Sequence, residues 1–214
     1  MVSKGSLAAA MRDPEKTRMR ILGAAYDLVY KEGFRSTSVN DIVMKAGVTQ
    51  GAFFHHFPTK NDLGYALVDE VLKDMMMERW TKPLAAYKNP VQGMIARFRK
   101  NMDDLSDEEI RSGCPLNNLM QEMSSIDPVF REKLRGVLLA WMEETERYLK
   151  KAEAEGYLRP GVDLKKASQF IVTAEVGSSG VMKNLLDRTV YYSLYESFRR
   201  YMESMSAVEI LLEV

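Results

Sequence analysis

Apolar side chains recur along most of the chain at the three-to-four-residue spacing of an amphipathic helix. The first helix is predicted to begin at Asp13-Pro14, a capping residue followed by a proline suited to the first turn, and to end at Gly33. No alternation of apolar and polar residues between hairpin turns indicates a strand. The pattern predicts an all-α protein, with later helices at about 59–80, 91–105, 115–124, 128–155, 163–187 and 190–205.

Two further short helices are predicted directly after the first one. Ser38 opens one of them with the spacing of a capping box, and Gly47 ends it. Thr49 can cap the other, which runs to about His56. Two short helices joined by a turn that contains glycine form a helix-turn-helix, whose second helix enters the major groove of DNA. Gln50 would then meet base edges, where its amide can pair bidentately with adenine.

Basic side chains are concentrated in the first sixty residues, although the formal net charge of the chain is zero. That segment has nine Lys and Arg against five Asp and Glu, a balance of +4. The remainder has 21 against 25, a balance of −4. A basic module joined to an acidic body is expected when only one part meets phosphate. Chance asymmetry of a protein surface is the alternative.

Segment 17–63 resembles the DNA-binding domain of the TetR/AcrR family of bacterial transcriptional regulators. Residue type and spacing agree across three helices, at Ile21, Ala25, Gly33, Phe34, Ile42, Ala46, Gly47, Val48, Gly51, His56, Phe57, Lys60 and Leu63. The resemblance implies that the positions touching phosphate are Thr37, Thr49, His56 and Lys60. It implies that the positions facing bases or sugars are Gln50, Gly51 and Phe54.

Two positions depart from the family pattern. Phe54 stands where the family usually has tyrosine, so a hydroxyl contact to DNA is lost and only apolar contact remains. Val43 stands where alanine is common, which is expected to shift the helix packing slightly. Two aromatic neighbours, Phe53 and Phe57, are interpreted as core residues. A polar surface histidine is the alternative to a phosphate contact for His56.

The resemblance implies three parts: a flexible tail at 1–12, the helix-turn-helix DNA-binding domain at 13–60 and a helical effector-binding and dimerisation domain at 61–214. The homodimer is expected to form through the last two long helices. Their apolar stripes are Leu164, Ala167, Ile171, Ala174, Ser178, Val181 and Leu185, and Val190, Leu194, Phe198, Tyr201 and Met205. Close approach of helices would explain the costly glycines in Gly177-Ser178-Ser179-Gly180, and a kink or break is the alternative.

A pocket for a small-molecule effector is expected in the body. The expected lining residues are Met76, Trp80, Met94, Phe98, Cys114, Met120, Trp141 and Phe170, with ordinary core filling as the alternative. Gly113-Cys114-Pro115 resembles a subgroup in which this cysteine responds to electrophiles or oxidants in some members. A thiol at a helix N-terminus has a lowered pKa, although Arg111 lies among acidic residues. A structural role for Cys114 is the alternative.

Several other classes of protein are not supported. The sequence contains no nucleotide-binding or hydrolase motif, so an enzyme is not indicated and no cofactor is expected. His55 and His56 are the only histidines and Cys114 the only cysteine, so no metal site is expected. One cysteine and no long apolar run fit a cytoplasmic protein away from membranes.

The sequence thus predicts a sequence-specific regulator, a repressor released from a palindromic double-stranded DNA operator by a small apolar ligand or a reactive electrophile. Activation is the alternative outcome of such binding, since the position of the operator decides it. A helical adaptor that binds protein through the N-terminal module is the rival interpretation of the whole chain.

Overall fold

The computed structural model describes residues 14–210. Within this range the chain is helical, as predicted, and its β structure is one antiparallel bridge between Leu158 and Ser206. The predicted tail at 1–12 and the predicted cap at Asp13 lie outside the described residues. The α-helices are α1 Pro14–Glu32, α2 Val39–Ala46, α3 Gln50–His56, α4 Lys60–Ala66, α5 Lys73–Met76, α6 Pro90–Asp104, α7 Asp107–Ser112, α8 Pro115–Met123, α9 Pro128–Ala154, α10 Leu164–Leu185 and α11 Arg188–Met205.

The chain divides into two compact units, one ending at Leu67 and the other beginning at Val68. Helices α1–α4 form the first unit around a small apolar core. Its fully or almost fully buried side chains are Ile21, Leu22, Ala25, Phe34, Ile42, Phe53, Phe57 and Leu63. This core holds α2 and α3 against α1, and it therefore fixes the angle between the two short helices.

The second unit has an aromatic cluster at its centre. Phe98 of α6 stacks on Phe198 of α11, with ring centroids 4.5 Å apart, and on Tyr191 of the same helix at 5.6 Å. Trp80 and Trp141 stack on each other at 5.6 Å. Such aromatic pairs contribute about 0.5–1.5 kcal/mol beyond the area that they bury.

The helix predicted at about 59–80 continues to Ala86 and is irregular. Between α4 and α6 the backbone forms π-helix at Leu67–Leu72 and at Met77–Thr81, and 3-10 helix at Lys82–Ala86. Single π turns within helices are frequent at functional sites. The apolar spacing predicts a helix here. It does not distinguish α-helix from π-helix or 3-10 helix, because these differ only in which backbone carbonyl accepts from each N–H, so the irregularity was not predicted.

Helix α7 was missing from the sequence prediction. Ser106 caps it in a capping box, since its side chain accepts from the Glu109 backbone N–H and the Glu109 carboxylate accepts from the Ser106 N–H. The Ser-x-x-Glu spacing was visible in the sequence. The helix is only six residues long and acidic in its first turn, so its apolar periodicity is too short to detect.

The Gly177–Gly180 run does not break α10, which is continuous across it. A Cβ added at Gly180 would lie 3.3 Å from Asn117 Nδ2, so close packing on α8 explains this glycine. A Cβ added at Gly177 would meet nothing within 4 Å. Gly177 is therefore on an open face of the helix. No helix of residues 14–210 is long and apolar enough to span a membrane.

Candidate nucleic-acid interface and body cavity

The two short helices are set by local caps that the sequence predicted. The Ser38 hydroxyl accepts from the Asp41 backbone N–H at 3.1 Å, and the Thr49 hydroxyl accepts from the Ala52 N–H at 3.1 Å. Gly47 ends α2 in the left-handed conformation, at φ 61°. Each cap satisfies a backbone group that the helix end leaves without a partner. The turn between α2 and α3 is therefore specified by its own residues.

Arg20 ties this turn to α1. Its Nη2 donates to the carbonyl oxygens of Ala46 at 2.6 Å and of Gly47 at 3.0 Å, which are two of the carbonyls at the end of α2. A guanidinium is well suited to this position because its charge also favours the negative end of the helix dipole. Arg20 was not singled out from the sequence, because its partners are 26 and 27 residues away.

Helix α3 presents a solvent-exposed face formed by three of the predicted contact residues. Gln50 and Gly51 are exposed, and Phe54 is 49% exposed although it is a large apolar side chain. Phe53 and Phe57 are buried beneath them, which confirms their interpretation as core residues. The buried Phe53 and Phe57 and the exposed Phe54 define which side of α3 faces the core. The outward side carries one small, one polar and one aromatic residue.

The side chain of Gln50 is held in place by Asn40. Gln50 Nε2 donates to Asn40 Oδ1 at 2.6 Å, which links the first turn of α3 to the first turn of α2. One amide hydrogen and the carbonyl oxygen of Gln50 remain available to a base. Asn40 was passed over in the sequence because only the fold brings it next to Gln50.

The predicted phosphate contacts differ in their surroundings. Thr49 is exposed, and His56 is half-buried with its ring edge-on to His55. Lys60 Nζ lies 4.7 Å from the centroid of the Phe34 ring and donates to the Arg35 carbonyl oxygen at 3.2 Å. These contacts hold the ammonium at the start of α4 next to the loop that precedes α2.

Thr37 departs from the prediction. Its side chain is fully buried, and its hydroxyl donates to the Gly33 carbonyl oxygen at 2.8 Å. Its backbone N–H donates to the same oxygen. The hydroxyl therefore closes the turn after α1 in this conformation and does not face solvent. The phosphate-contact role was assigned to Thr37 by the family resemblance, and a resemblance in residue type does not reveal whether the side chain is buried.

A small cavity of about 30 Å³ lies in the second unit. Four of the eight predicted pocket residues line it: Met76, Trp80, Cys114 and Trp141. The other four do not. Met94 and Phe98 are buried in the aromatic core, Met120 is half-buried on α8, and Phe170 is 47% exposed against the Tyr201 ring. Helical spacing identifies apolar residues but not the side of the helix on which a cavity opens.

Two polar atoms in the cavity wall are buried without a hydrogen-bond partner. They are Trp141 Nε1 and Glu175 Oε2, on side chains of residues that are 1% and 5% exposed. Burial raises the pKa of Glu175 well above its usual range, and the charge of Arg97 opposes this only in part. An unpaired buried polar atom costs about 1–3 kcal/mol. These groups are therefore the natural partners of a bound molecule.

The expected lowering of the Cys114 pKa is corrected by its burial. Cys114 is the N-terminal capping residue of α8, as expected, but only 8% of it is exposed. Burial raises the pKa of the thiol, and it outweighs the lowering by the Asn117 and Leu116 backbone N–H groups and by Arg79. The helix terminus thus does not make Cys114 a thiolate in this conformation. Arg79, and not Arg111, is the cation that acts on it.

Comparisons with known proteins agree with this architecture. A family model for bacterial regulatory proteins of the TetR family matches residues 21–67, and one for the tetracyclin repressor-like C-terminal domain matches 90–200. An uncharacterized HTH-type transcriptional regulator of Lactococcus lactis is 30% identical over 118 residues. That match spans 55% of this chain and 60% of the relative. The transcriptional regulator AcuR of Cereibacter sphaeroides is 28% identical over 153 residues, which span 68% and 67% of the two chains.

The structure is similar to that of a TetR transcriptional regulator from Chloroflexus aurantiacus, with a TM-score of 0.79 and 25% identity over 92% of this chain and 98% of that one. The protein is thus a helical regulator with a helix-turn-helix domain. Because the C-terminal family model alone covers more than half of the sequence, the chain belongs to the TetR family of transcriptional regulators. Its relatives are regulators and not enzymes.

Alanine at two glycines of the helix-turn-helix is expected to affect stability differently. At Gly47 the φ of 61° is strained for alanine, and the new Cβ would lie 3.0 Å from Arg20 Nη2. We expect Gly47→Ala to lower the free energy of unfolding by about 1–2 kcal/mol. Gly51→Ala meets only Thr49 Oγ1 at 4.0 Å, so we expect unchanged or higher stability, by up to about 1 kcal/mol.

Denaturation followed by circular dichroism checks both values. DNA binding supplies a second readout, because Gly51→Ala adds a methyl group to the exposed face of α3 while leaving the fold intact. Equal loss of stability in the two variants would contradict the inference that the strained backbone is at Gly47 alone.

Proposed function

We propose that the protein is a homodimeric repressor that binds a palindromic DNA operator through α3 and releases it when a small molecule occupies the body cavity. The observation that carries this proposal is the exposed face of α3. Gln50, Gly51 and Phe54 lie outward on a helix whose inner side, at Phe53, is fully buried. A firmly packed helix with a small, polar and aromatic outer face suits insertion into the major groove.

Each exposed residue has a defined role in this proposal. Gln50 reads adenine through the amide groups that Asn40 leaves available. Gly51 admits the helix close to the bases, and Phe54 contacts a thymine methyl group. Thr49, His56 and Lys60 contact phosphate, and these contacts set the position of the helix without reading sequence.

A homodimer is supported by an apolar face of α10 that the described residues 14–210 leave exposed. Phe170, Val181 and Leu185 are 47%, 41% and 55% exposed, and Gly177 lies between them on the same side of the helix. The stripe read from the sequence therefore needs correction, since Ala167, Ile171 and Ser178 in α10 and Phe198 and Met205 in α11 are buried in the subunit core. A two-fold dimer would supply two α3 helices, one for each half-site of a palindromic operator.

Release is proposed to begin at the cavity. Met76, Arg79 and Trp80 line it and belong to the same unbroken helical run, 60–86, that starts with Lys60. A ligand that favours another position of this run would change the spacing of the two α3 helices. By linkage, it weakens DNA binding only as far as it prefers the unbound conformation. Reaction of Cys114 with an electrophile would act at the same wall, after an opening that exposes the thiol.

Selection of duplexes from a random DNA pool tests DNA recognition. We expect a palindromic consensus. Gln50→Ala should blur one position in each half-site, at a cost of about 1–3 kcal/mol for the preferred base. Lys60→Ala should weaken all sequences about equally and reduce the salt dependence of binding.

The matched control is Lys31→Ala, which removes a cation that the end of α1 exposes and that is not among the proposed phosphate contacts. No enrichment of any sequence at low salt would favour the protein-binding adaptor instead. A single half-site in the consensus would contradict the homodimer.

A further inference from the structure

Two side chains at the body cavity, Trp141 and Arg79, have hydrogen-bond donors that lack an acceptor among the described residues. Trp141 Nε1 is a buried donor without a partner, and an indole nitrogen cannot accept. Arg79 donates through Nε to Asn101 Oδ1. The two Nη atoms of Arg79 have no hydrogen-bond acceptor and no carboxylate partner in the part of the chain that the structure describes. A ligand that fills this cavity must therefore supply acceptor atoms.

The guanidinium of Arg79 is held in a fixed position. Asn101 is 2% exposed, accepts from Arg79 Nε and donates through Nδ2 to Tyr191 Oη at 3.3 Å. Arg97 donates to the Arg79 backbone carbonyl at 2.8 Å. A planar guanidinium held through Nε presents its two Nη atoms as a fork, which matches the two oxygens of a carboxylate.

Glu175 fits the same ligand when it carries a proton. A protonated carboxyl group donates one hydrogen bond, so it can face an anion across the cavity. A cationic ligand would leave Trp141 Nε1 without an acceptor and would be repelled by Arg79. The apolar part of the wall is formed by Met76, Trp80, Leu105, Ile110, Pro115 and Met182, and Glu109 and Ser179 add further polar groups to it. The Glu109 carboxylate already accepts from the Ser106 backbone N–H and hydroxyl at the start of α7.

We propose that the cavity binds a small monocarboxylate, with its oxygens accepting from Arg79 and Trp141 and facing the Glu175 carboxyl group, and with its short apolar chain against the tryptophan pair. The proposal names the chemical class of the effector. It rests on the proposed function only in treating the bound monocarboxylate as an effector. The binding itself requires no DNA.

A direct readout is built into the chain, because its two tryptophans, Trp80 and Trp141, both line the cavity. Intrinsic fluorescence of the full-length protein is titrated with butanoate, and with butanamide and butylamine as neutral and cationic molecules of matched size. We expect a saturable change with butanoate. Butanamide should bind about tenfold or more weakly because it lacks the charge-assisted hydrogen bonds, and butylamine should not bind.

Variants separate the contributions of the wall. Arg79→Met is expected to weaken butanoate binding about tenfold or more. Arg135→Met is the matched control, because this exposed arginine of α9 pairs with Glu132 and lies outside the cavity. Circular dichroism of both variants verifies that they fold, and Glu175→Gln provides a second test that does not depend on Arg79.

The pH dependence follows from the proton on Glu175. Above the raised pKa of Glu175, butanoate must bind together with a proton, so its affinity should fall about tenfold per pH unit. Glu175→Gln donates a hydrogen bond at every pH, so it should keep the affinity and lose this dependence. The other charged or titratable groups near Glu175 are Arg97 of α6, Tyr191 of α11 and, along the cavity wall, Arg79, Cys114 and Glu109.

Equal binding of butanamide would show that acceptor atoms alone suffice and would overturn the monocarboxylate class. Preferred binding of butylamine would identify Glu175 as a counter-ion and would overturn it as well, as would no response to butanoate. Saturable butanoate binding by a protein that selects no DNA sequence would overturn the proposed function and leave this inference intact.

Discussion

Dissociation into monomers is the expected result of replacing Val181 with aspartate. Val181 is 41% exposed on α10 and lies on the same side as Gly177 and Leu185. A two-fold interface would contain the new carboxylate twice, in apolar surroundings that offer no partner. Because burying an unpaired charge costs several kcal/mol, we expect the dissociation constant of the dimer to rise about 100-fold or more.

Analytical ultracentrifugation over a range of protein concentrations measures this change. Operator affinity should fall with it, because a monomer reads one half-site only. Lys165→Gln is the matched control, since it changes the net charge by the same amount at an exposed position on the other side of α10. A Val181→Asp protein that sediments as the wild-type dimer does would show that the dimer forms through another surface.

The local parts of the DNA interface were predictable from the sequence because they depend on neighbouring residues. Ser38 and Thr49 cap their helices as predicted, and Gly47 has the positive φ that the turn requires. These signals act over three or four residues, so spacing alone reveals them. Phe53 was interpreted as a core residue and is buried, whereas Phe54 was placed on the outer face by the family resemblance and is exposed.

Contacts between distant segments were not predictable in this way. Asn40 reaches Gln50, and Arg20 reaches the carbonyls of Ala46 and Gly47, only after the helices have packed. The burial of Thr37 likewise depends on the packing of α1. The family resemblance placed Thr37 at the DNA interface, whereas in the folded protein its hydroxyl donates within the turn after α1.

Glu175 is the most informative residue that the sequence analysis missed, and it left a detectable signal. It stands four residues after Ile171 and seven before Met182, both of which are buried. An acidic residue in the buried stripe of a helix is costly unless it has a partner or a proton. An acidic residue among the apolar positions of the α10 stripe would therefore have indicated a buried polar site, had the polar as well as the apolar positions of the stripe been considered.

The second large effect is expected at Phe98, which was predicted to line the ligand pocket and instead lies in the core. Its ring stacks on Phe198 and Tyr191 and also contacts Tyr195 and Trp80. Phe98→Ala removes these contacts and leaves a cavity that surrounding rings cannot fill. We expect the free energy of unfolding of the body to fall by about 3–5 kcal/mol.

Denaturation at a fixed protein concentration measures this loss, because the stability of a dimer depends on concentration. Phe54→Ala is the matched control: the same side chain is removed where it is 49% exposed, and the expected change is within about 1 kcal/mol. If Phe98→Ala left the stability of the body unchanged and altered ligand affinity alone, Phe98 would belong to the pocket, as the sequence suggested. A large loss of stability instead follows from its position at the centre of the aromatic cluster.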